Sequence, residues 1–464
     1  MISEGNVYDL KIEDLGYGGR GLARISSFVI WVDGALPGDR VRAKVVNRKP
    51  NYAQAKVLEF LEYSDKRITP RCKHHKSCGG CQLIEMKYTC QLDYKKKQIA
   101  DLLIRIAGEK EPKLRDILPS AEIYRYRNRM EFSFGFDAEG KVSLGLHLPG
   151  CHDMITGIRT CSLQSLTADR ILKRCADFFS ELEVRKSYGG EEDLRHLLIR
   201  EGRKTGEFLV ALTGPSDYED SAGDLAEVLK KGFPEVKTFV FKGTGGKKGM
   251  KGEDETKEEK GKDVSFTFMI FFGDGTIEEE VGGLRFLVDS DCFFQANTKQ
   301  MENILRIVRE FAAEEGVSSI IDLYCGSGAI SLSLSSMSGE VLGIDNSRPS
   351  IQAAIKNARR NNITNCEFLC MDAGAGTKGL TYSNSKYDLA VVNPPRSGMQ
   401  KNLIANLGSL SPDRIIYVSC NPSTLARDIR FLKELGYKLV EVVPADMFPH
   451  TYHIESVSYM KKSG

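Results

Sequence analysis

Val418-Ser419-Cys420-Asn421-Pro422 sets a cysteine at the end of an apolar run and just ahead of a proline that can open a helix. A helix N-terminus there would favour the thiolate. Such a thiolate can add to carbon 6 of a pyrimidine, turning carbon 5 into an enolate-like nucleophile that attacks a sulfonium methyl it would otherwise ignore. The methylated adduct then needs a base to remove the carbon 5 proton before the cysteine leaves, and His450-Thr451-Tyr452-His453-Ile454-Glu455 offers Glu455. A cysteine read alone is more often a small buried hydrophobe, so the case for Cys420 depends on its neighbours.

Asp322-Leu323-Tyr324-Cys325-Gly326-Ser327-Gly328 has the form of a strand end turning into a helix, with glycines where the backbone must pass close under a ligand. A glycine pair alone says little. Asp345 sharpens it by closing the next apolar run, where a carboxylate can accept hydrogen bonds from ribose hydroxyls. Ala329-Ile330-Ser331 lacks the third glycine that packs against a pyrophosphate, which points to an adenosine without phosphate. Asn393-Pro394-Pro395-Arg396-Ser397-Gly398 ends a further run in a rigid double-proline turn, holding Asn393 where a base-reading amide would stand.

Cys72-x5-Cys78-Gly79-Gly80-Cys81 places three thiols in one short loop. Cys161 is the distant fourth, with Cys90 and Cys151 as rivals. Soft thiolate sets hold iron–sulfur clusters or zinc. The spacing and the glycine pair suit a zinc knuckle poorly, which favours a four-iron, four-sulfur (4Fe-4S) cluster. His74 and His75 read as phosphate-facing or exposed.

These residues need elements to position them, and the chain reads as a multidomain α/β protein. Residues 1–62 alternate short apolar runs with glycine turns, as in a small OB-like β-barrel. Its Arg20, Arg24, Arg40, Arg42, Lys44, Arg48 and Lys49, beside Tyr17 and Tyr52, suit phosphate and base contacts on single-stranded RNA. Residues 63–288 read as a central α+β unit containing the cysteine loop. Within it, the helical spacing of Leu92, Ile99, Leu102, Leu103 and Ile106 predicts a helix over 91–106, with 91–120 packing on the catalytic unit. The glycine, lysine and glutamate of 243–262 predict a disordered insertion. Residues 289–464 alternate strand and helix signals, implying a Rossmann-like parallel sheet finished by an antiparallel hairpin.

Composition narrows the classes. A chain of 464 residues calls for two to four domains. No apolar run reaches the roughly 18 residues of a membrane span. The opening Met1-Ile2-Ser3-Glu4-Gly5 lacks secretory character, so the twelve cysteines are expected reduced, in the cytoplasm. A net charge of +2 does not announce a polyanionic partner, so any RNA contact must rest on local charge. No obligate protein partner is evident.

Together these residues resemble the RNA uracil-5 methyltransferase family, class I and S-adenosylmethionine-dependent. Within it they are similar to the 23S ribosomal-RNA branch that carries a TRAM domain and a 4Fe-4S cluster, and the resemblance covers nearly the whole chain. Leu36-Pro37-Gly38-Asp39 with the glycine-rich start looks like TRAM, Arg71-Cys72 through Cys81-Gln82 looks like the cluster motif, and Phe293-Phe294-Gln295-Ala296-Asn297 looks like the lead into the catalytic domain. The resemblance implies methyl transfer from S-adenosylmethionine to carbon 5 of a uridine in loop or single-stranded 23S rRNA. Cys420 would be the nucleophile and Glu455 the proton acceptor. Gln295, Tyr324, Asp345 and Asn393 would line the donor site, and Cys72, Cys78, Cys81 and Cys161 would hold the cluster. A structural cluster would pin the central unit so that Arg125, Arg127 and Arg129 grip RNA. Two positions depart from the family pattern: Cys292 stands for its serine, and Asn393 for the aspartate of D-P-P-R. The amide accepts a hydrogen bond from uracil N3–H but can also donate one.

Two other classes compete. An exocyclic-amine RNA or DNA methyltransferase uses N-P-P-x with an aromatic in the last place, where this chain has Arg396, and needs no cysteine nucleophile. An RNA-binding iron–sulfur protein with a decayed catalytic fold would account for Asn393.

Overall fold

The computed structural model describes residues 2–136, 142–151, 154–181, 194–244, 254–259, 262–313, 316–382 and 385–463. At the N-terminus six strands form a sheet in the order Val7–Lys11, Arg40–Arg48, Tyr52–Glu62, Phe28–Asp33, Arg20–Ile25, Asp14–Gly16. The strand Arg40–Arg48 shows why: Val41, Ala43 and Val45 point inward while Arg40, Arg42 and Lys44 face water, the period of two that a half-buried strand requires. Register shifts along its pairing with Tyr52–Glu62 bend the two long strands around the core. Four outward arginines of the sheet are engaged: Arg20 pairs with Asp33, Arg24 with Glu13, Arg40 with Glu62, and Arg42 with Asp9 and Glu59. Four of the seven basic residues expected to meet RNA are therefore paired with carboxylates.

The central unit is an eight-stranded sheet running from Asp254–Glu259 at one edge to Ile155–Gly157 at the other. Helices Leu166–Glu181 and Glu219–Gly232 bury Ile171, Leu172, Phe179, Leu225 and Leu229 against Phe132, Phe239 and Phe241 of the sheet. Much of the expected disordered insertion, 243–262, lies outside the described residues, and its described residues are strand. Gly243 and Thr244 end the strand Val236–Thr244, and Asp254–Glu259 pairs antiparallel with Lys262–Phe272, while 245–253 and 260–261 lie outside the described residues. An edge strand is held by main-chain hydrogen bonds, which a composition argument about buried apolar area does not address.

Around residue 289 the central and catalytic units share one core, which includes Leu198, Leu209 and Val240 of the central sheet. The hairpin Thr276–Val281/Leu284–Asp289 shares a core with helix Thr298–Ala312 and with Val341 and Val391 of the catalytic sheet. Main-chain N–H groups of Arg285 and Leu287 donate to the side-chain amides of Asn361 (2.9 Å) and Asn357 (2.8 Å), so the hairpin's open edge is satisfied by the helix Arg348–Arg360 and its end. The sheet itself has seven strands: Ser319–Leu323, Glu340–Asp345, Cys366–Cys370, Leu389–Val392, Arg414–Ser419, Tyr437–Ala445 and Glu455–Lys462. Numbered within the sheet, their spatial order is 3-2-1-4-5-7-6. Strands 1 to 5 are parallel, and strand 7 is antiparallel between strands 5 and 6.

Helix Tyr88–Arg105 lies against this sheet, burying Ile99 and Leu103 with Leu425, Ile429 and Val442. Leu114 and Leu118 then bridge to Val442 and Ala445, extending its edge. Among the described residues no helix is long and apolar enough to cross a membrane.

Candidate active site

Strands 5 and 7 bring Cys420 and Glu455 together. Their register pairs Ser419 with Ser456, so the next residue on one strand, Cys420, meets the preceding residue on the other, Glu455. Antiparallel pairing across a sheet edge thus juxtaposes residues far apart in sequence. Glu455 is 2% exposed, and burial pushes its carboxyl up to about 8, with Arg396 pulling the other way. The Cys420 thiol is raised by burial and by Glu455 and lowered by Arg396. The thiolate anticipated from the helix N-terminus alone is therefore not free; its desolvation outweighs that help, and Arg396 is the compensating cation.

Arg396 itself was visible only as part of a turn. The Asn393–Gly398 turn is clamped to helix Pro422–Glu434 from several sides. Asn421 caps that helix by accepting from the Ser423 N–H, and donates its amide to the Arg396 carbonyl at 2.9 Å. Asp428 accepts from the Met399 N–H and the Tyr417 hydroxyl, both at 2.8 Å. Gly398 has φ +75, and a Cβ there would stand 2.5 Å from Arg427 and 2.6 Å from Asp428, so only glycine fits. The guanidinium of Arg396 donates to His453 Nε2 at 3.3 Å. That contact needs neutral imidazole, and burial beside Arg396 lowers His453 to about 4.

The segment 446–454, which delivers His453 and Glu455, is itself anchored. Lys95 of helix Tyr88–Arg105 donates to Asp446 at 2.6 Å, both side chains fully buried. Gln91 accepts from the His450 N–H at 2.9 Å, and the Leu83 N–H, beside the cysteine loop, donates to the His450 carbonyl at 2.8 Å.

At the carboxyl end of strand 2, Asp345 accepts from the N–H groups of Gly326 (3.0 Å) and Ser347 (2.8 Å). These contacts orient its carboxylate and leave lone pairs for hydroxyl donors. Tyr324 adopts φ +63, a strained conformation for a tyrosine, and its phenol is raised to about 12 by burial and by Asp372, Asp428 and Asp345. Gly328 has φ +84 and begins helix Ala329–Leu334. Below them Asp322 is buried and accepts from Ser331 at 2.5 Å, with burial raising its carboxyl to about 7. Gln295 lies just before the cap of helix Thr298–Ala312, its carbonyl accepting from Asn128 at 3.0 Å, and Asn393 is half-buried at the end of strand 4. Asp372 stands just beyond strand 3, at the carboxyl ends of the parallel strands where ligands gather in such sheets, and its charge reaches Tyr324.

Cys72, Cys78, Cys81 and Cys161 are also brought together. Cys81 is raised by burial and then by the charges of Cys161, Cys78 and Cys72, and Cys161 by burial and by Cys78 and Cys72. Cys90 instead packs with Leu83 and Met86, away from this group. Among the described residues no three His, Cys, Asp or Glu side chains are grouped around a single metal-ion position. The case for a bound group therefore rests on four neighbouring soft donors. Arg125 donates to the Cys161 and Gln164 carbonyls (both 2.7 Å) and to Asp169 (2.6 Å). It braces this loop.

Seven strands in this order, a glycine turn over the first and an oriented carboxylate on the second define a Rossmann-like methyltransferase. The sequence profile of tRNA (uracil-5-)-methyltransferases matches residues 277–463, and that of the TRAM domain matches residues 3–58. An uncharacterized RNA methyltransferase of Halalkalibacterium halodurans is 34% identical, over 99% of this chain and 98% of that one. One from Clostridium tetani is 32% identical, over 100% and 98%. The crystal structure of the Pyrococcus abyssi tRNA (uracil-54, C5)-methyltransferase in complex with S-adenosyl-L-homocysteine superposes with a TM-score of 0.72 at 25% identity, over 97% of this chain and 99% of that one. The chain belongs to the RNA uracil-5 methyltransferase family and carries a TRAM domain at its N-terminus.

Proposed function

We propose that this enzyme methylates carbon 5 of a uridine in 23S ribosomal RNA through a covalent bond between Cys420 and carbon 6. The observation that carries the reading is the pairing of Ser419 with Ser456, which sets Cys420 beside Glu455 with Arg396 acting on both. S-adenosylmethionine, when bound, supplies an electrophilic methyl group. Asp345 would hold its ribose, with Tyr324, Gln295 and Asn393 lining the rest of the site.

The Cys420 thiolate adds to carbon 6, and the electron pair of the 5,6 double bond moves onto carbon 5 and O4. Arg396 stabilises the thiolate before addition. Carbon 5 takes the methyl group, and Glu455, as carboxylate, removes the carbon 5 proton. The pair left behind re-forms the double bond as sulfur departs. Asn393 accepts from uracil N3–H. The target nucleotide must leave its stack to reach a half-buried thiol, which favours loop or single-stranded RNA.

The test uses 23S rRNA transcribed with 5-fluorouridine, incubated with enzyme and donor. Fluorine cannot leave as a proton, so a denaturation-resistant adduct should accumulate with the wild type and be absent with Cys420→Ala. Mapping it names the nucleotide. Methyl transfer that survives Cys420→Ala would overturn the mechanism in favour of exocyclic-amine methylation. RNA binding without any transfer would favour a decayed enzyme, and transfer to a tRNA transcript alone would replace the ribosomal substrate.

Cys72, Cys78, Cys81 and Cys161 are proposed to hold a 4Fe-4S cluster, a reading supported by soft donors near enough to feel one another's charge. It would cross-link the loop that carries Leu83 to the central sheet and supply no electrons to methyl transfer. Iron and sulfide in anaerobically purified protein are expected; zinc would overturn the assignment.

A further inference from the structure

The N-terminal sheet reaches the catalytic mouth through one turn. Between strands Asp14–Gly16 and Arg20–Ile25, Gly18 and Gly19 take φ +96 and +78, and the turn presses on the catalytic unit. A Cβ on Gly19 would lie 3.0 Å from Gln82 and 3.7 Å from Tyr452. The turn carries Tyr17, whose ring meets that of Tyr452 edge-on, with centroids 5.4 Å apart and planes at 79°. Tyr452 in turn packs on His453 at 4.3 Å, and His453 receives the Arg396 hydrogen bond. Tyr17 keeps 41% of its surface exposed and feels the charges of Arg396 and Cys420. A large aromatic ring is thus held, part bare, at the lip of the nucleophile's site by a contact between two domains.

We propose that Tyr17, braced by Tyr452, is a stacking platform for an unpaired base of the substrate RNA at the mouth of the Cys420 site. The TRAM domain would then take part in presenting the target nucleotide, beyond adding general affinity. Three features support an RNA base as the occupant. The ring is exposed beside a thiol that must receive an extruded nucleotide, Arg396 supplies positive charge at the same edge, and the ring is pre-ordered by Tyr452 so that stacking costs little further ordering. Base–aromatic stacking tolerates any base, so Tyr17 would position the chain while Asn393 reads the uracil. The proposal rests on the uridine reading above.

The test compares full-length wild type, Tyr17→Ala and Tyr17→Phe on 5-fluorouridine-substituted 23S transcript and on a short uridine-containing RNA loop. Loss of one stacked base predicts about a tenfold weaker KM for RNA and slower adduct formation for Tyr17→Ala, at unchanged affinity for S-adenosylhomocysteine. Tyr17→Phe, which keeps the ring, should restore both. Gly19→Ala, which displaces the turn without removing the ring, should fall between them. Equal adduct rates and KM for wild type and Tyr17→Ala would overturn the proposal, as would Tyr17→Phe failing as badly as Tyr17→Ala. Should the wild type prove inert toward uridine, the functional reading falls, yet filter binding of the RNA loop to the same variants still decides the stack.

Discussion

Replacing Glu455 by glutamine should remove turnover while making the catalytic sheet more stable above pH 5, two effects of opposite sign from one substitution. The carboxyl is fully buried, and its pKa rises from an ordinary 4.5 to about 8. Because the folded state binds the proton more tightly than the unfolded one, protonated Glu455 stabilises the fold fully below pH 4.5. That contribution is lost progressively as pH rises toward 8. At about 1.4 kcal/mol per pH unit, the wild type forfeits about 3 kcal/mol by pH 7 and about 5 kcal/mol above pH 8. Glutamine is neutral throughout and forfeits none. Amide hydrogen exchange of the peptide covering Glu455–Lys462, compared between wild type and Glu455→Gln at each pH, reads the difference locally. Near-equality at pH 5 should give way to a variant advantage that grows until about pH 8 and then levels. In parallel, wild-type kcat/KM should climb with pH through about 8 as the base ionises. A stability difference that stays constant from pH 5 to 9 would refute the buried-acid reasoning.

Lys95→Ala leaves Asp446 charged and unpaired in the interior and should cost about 3 to 5 kcal/mol, read by urea denaturation; wild-type stability would show that the ion pair does not anchor the 446–454 segment. Arg396→Gln removes the cation beside Cys420. Alkylation of the Cys420 peptide by iodoacetamide at pH 7.5, followed by mass spectrometry, should slow by about tenfold, and an unchanged rate would exclude Arg396 as the thiolate's partner. Gly328→Ala forces a left-handed backbone on alanine and sets its Cβ 3.1 Å from Ala354 and 3.2 Å from Phe368. Stability should fall by about 1 to 2 kcal/mol, with weaker calorimetric binding of S-adenosylhomocysteine; Gly326→Ala, facing open space, should cost the backbone strain alone.

Local pattern carried much of the fold. Strand periodicity in Arg40–Arg48, the glycine turn after Leu323 and the proline ahead of helix Pro422–Glu434 are short-range signals, each written in a few adjacent residues. Edge pairing leaves almost no mark in composition, so the strand Asp254–Glu259 is not legible from its residues, and the hairpin Thr276–Asp289 is held by Asn357 and Asn361, some seventy residues away.

The sequence by itself determined which chemistry was available: a cysteine at a strand end, an acid after a histidine-rich turn, a carboxylate on the second strand and a loop of thiols. Only the tertiary structure decided how those groups behave. Burial raises both Cys420 and Glu455, and whether either ionises depends on Arg396, which the turn clamped by Asn421 and Asp428 brings to them. Tyr17 enters the same neighbourhood from another domain. Desolvation and Coulomb interaction depend on distance and burial in space, and neither is a property of residue type or of spacing along the chain.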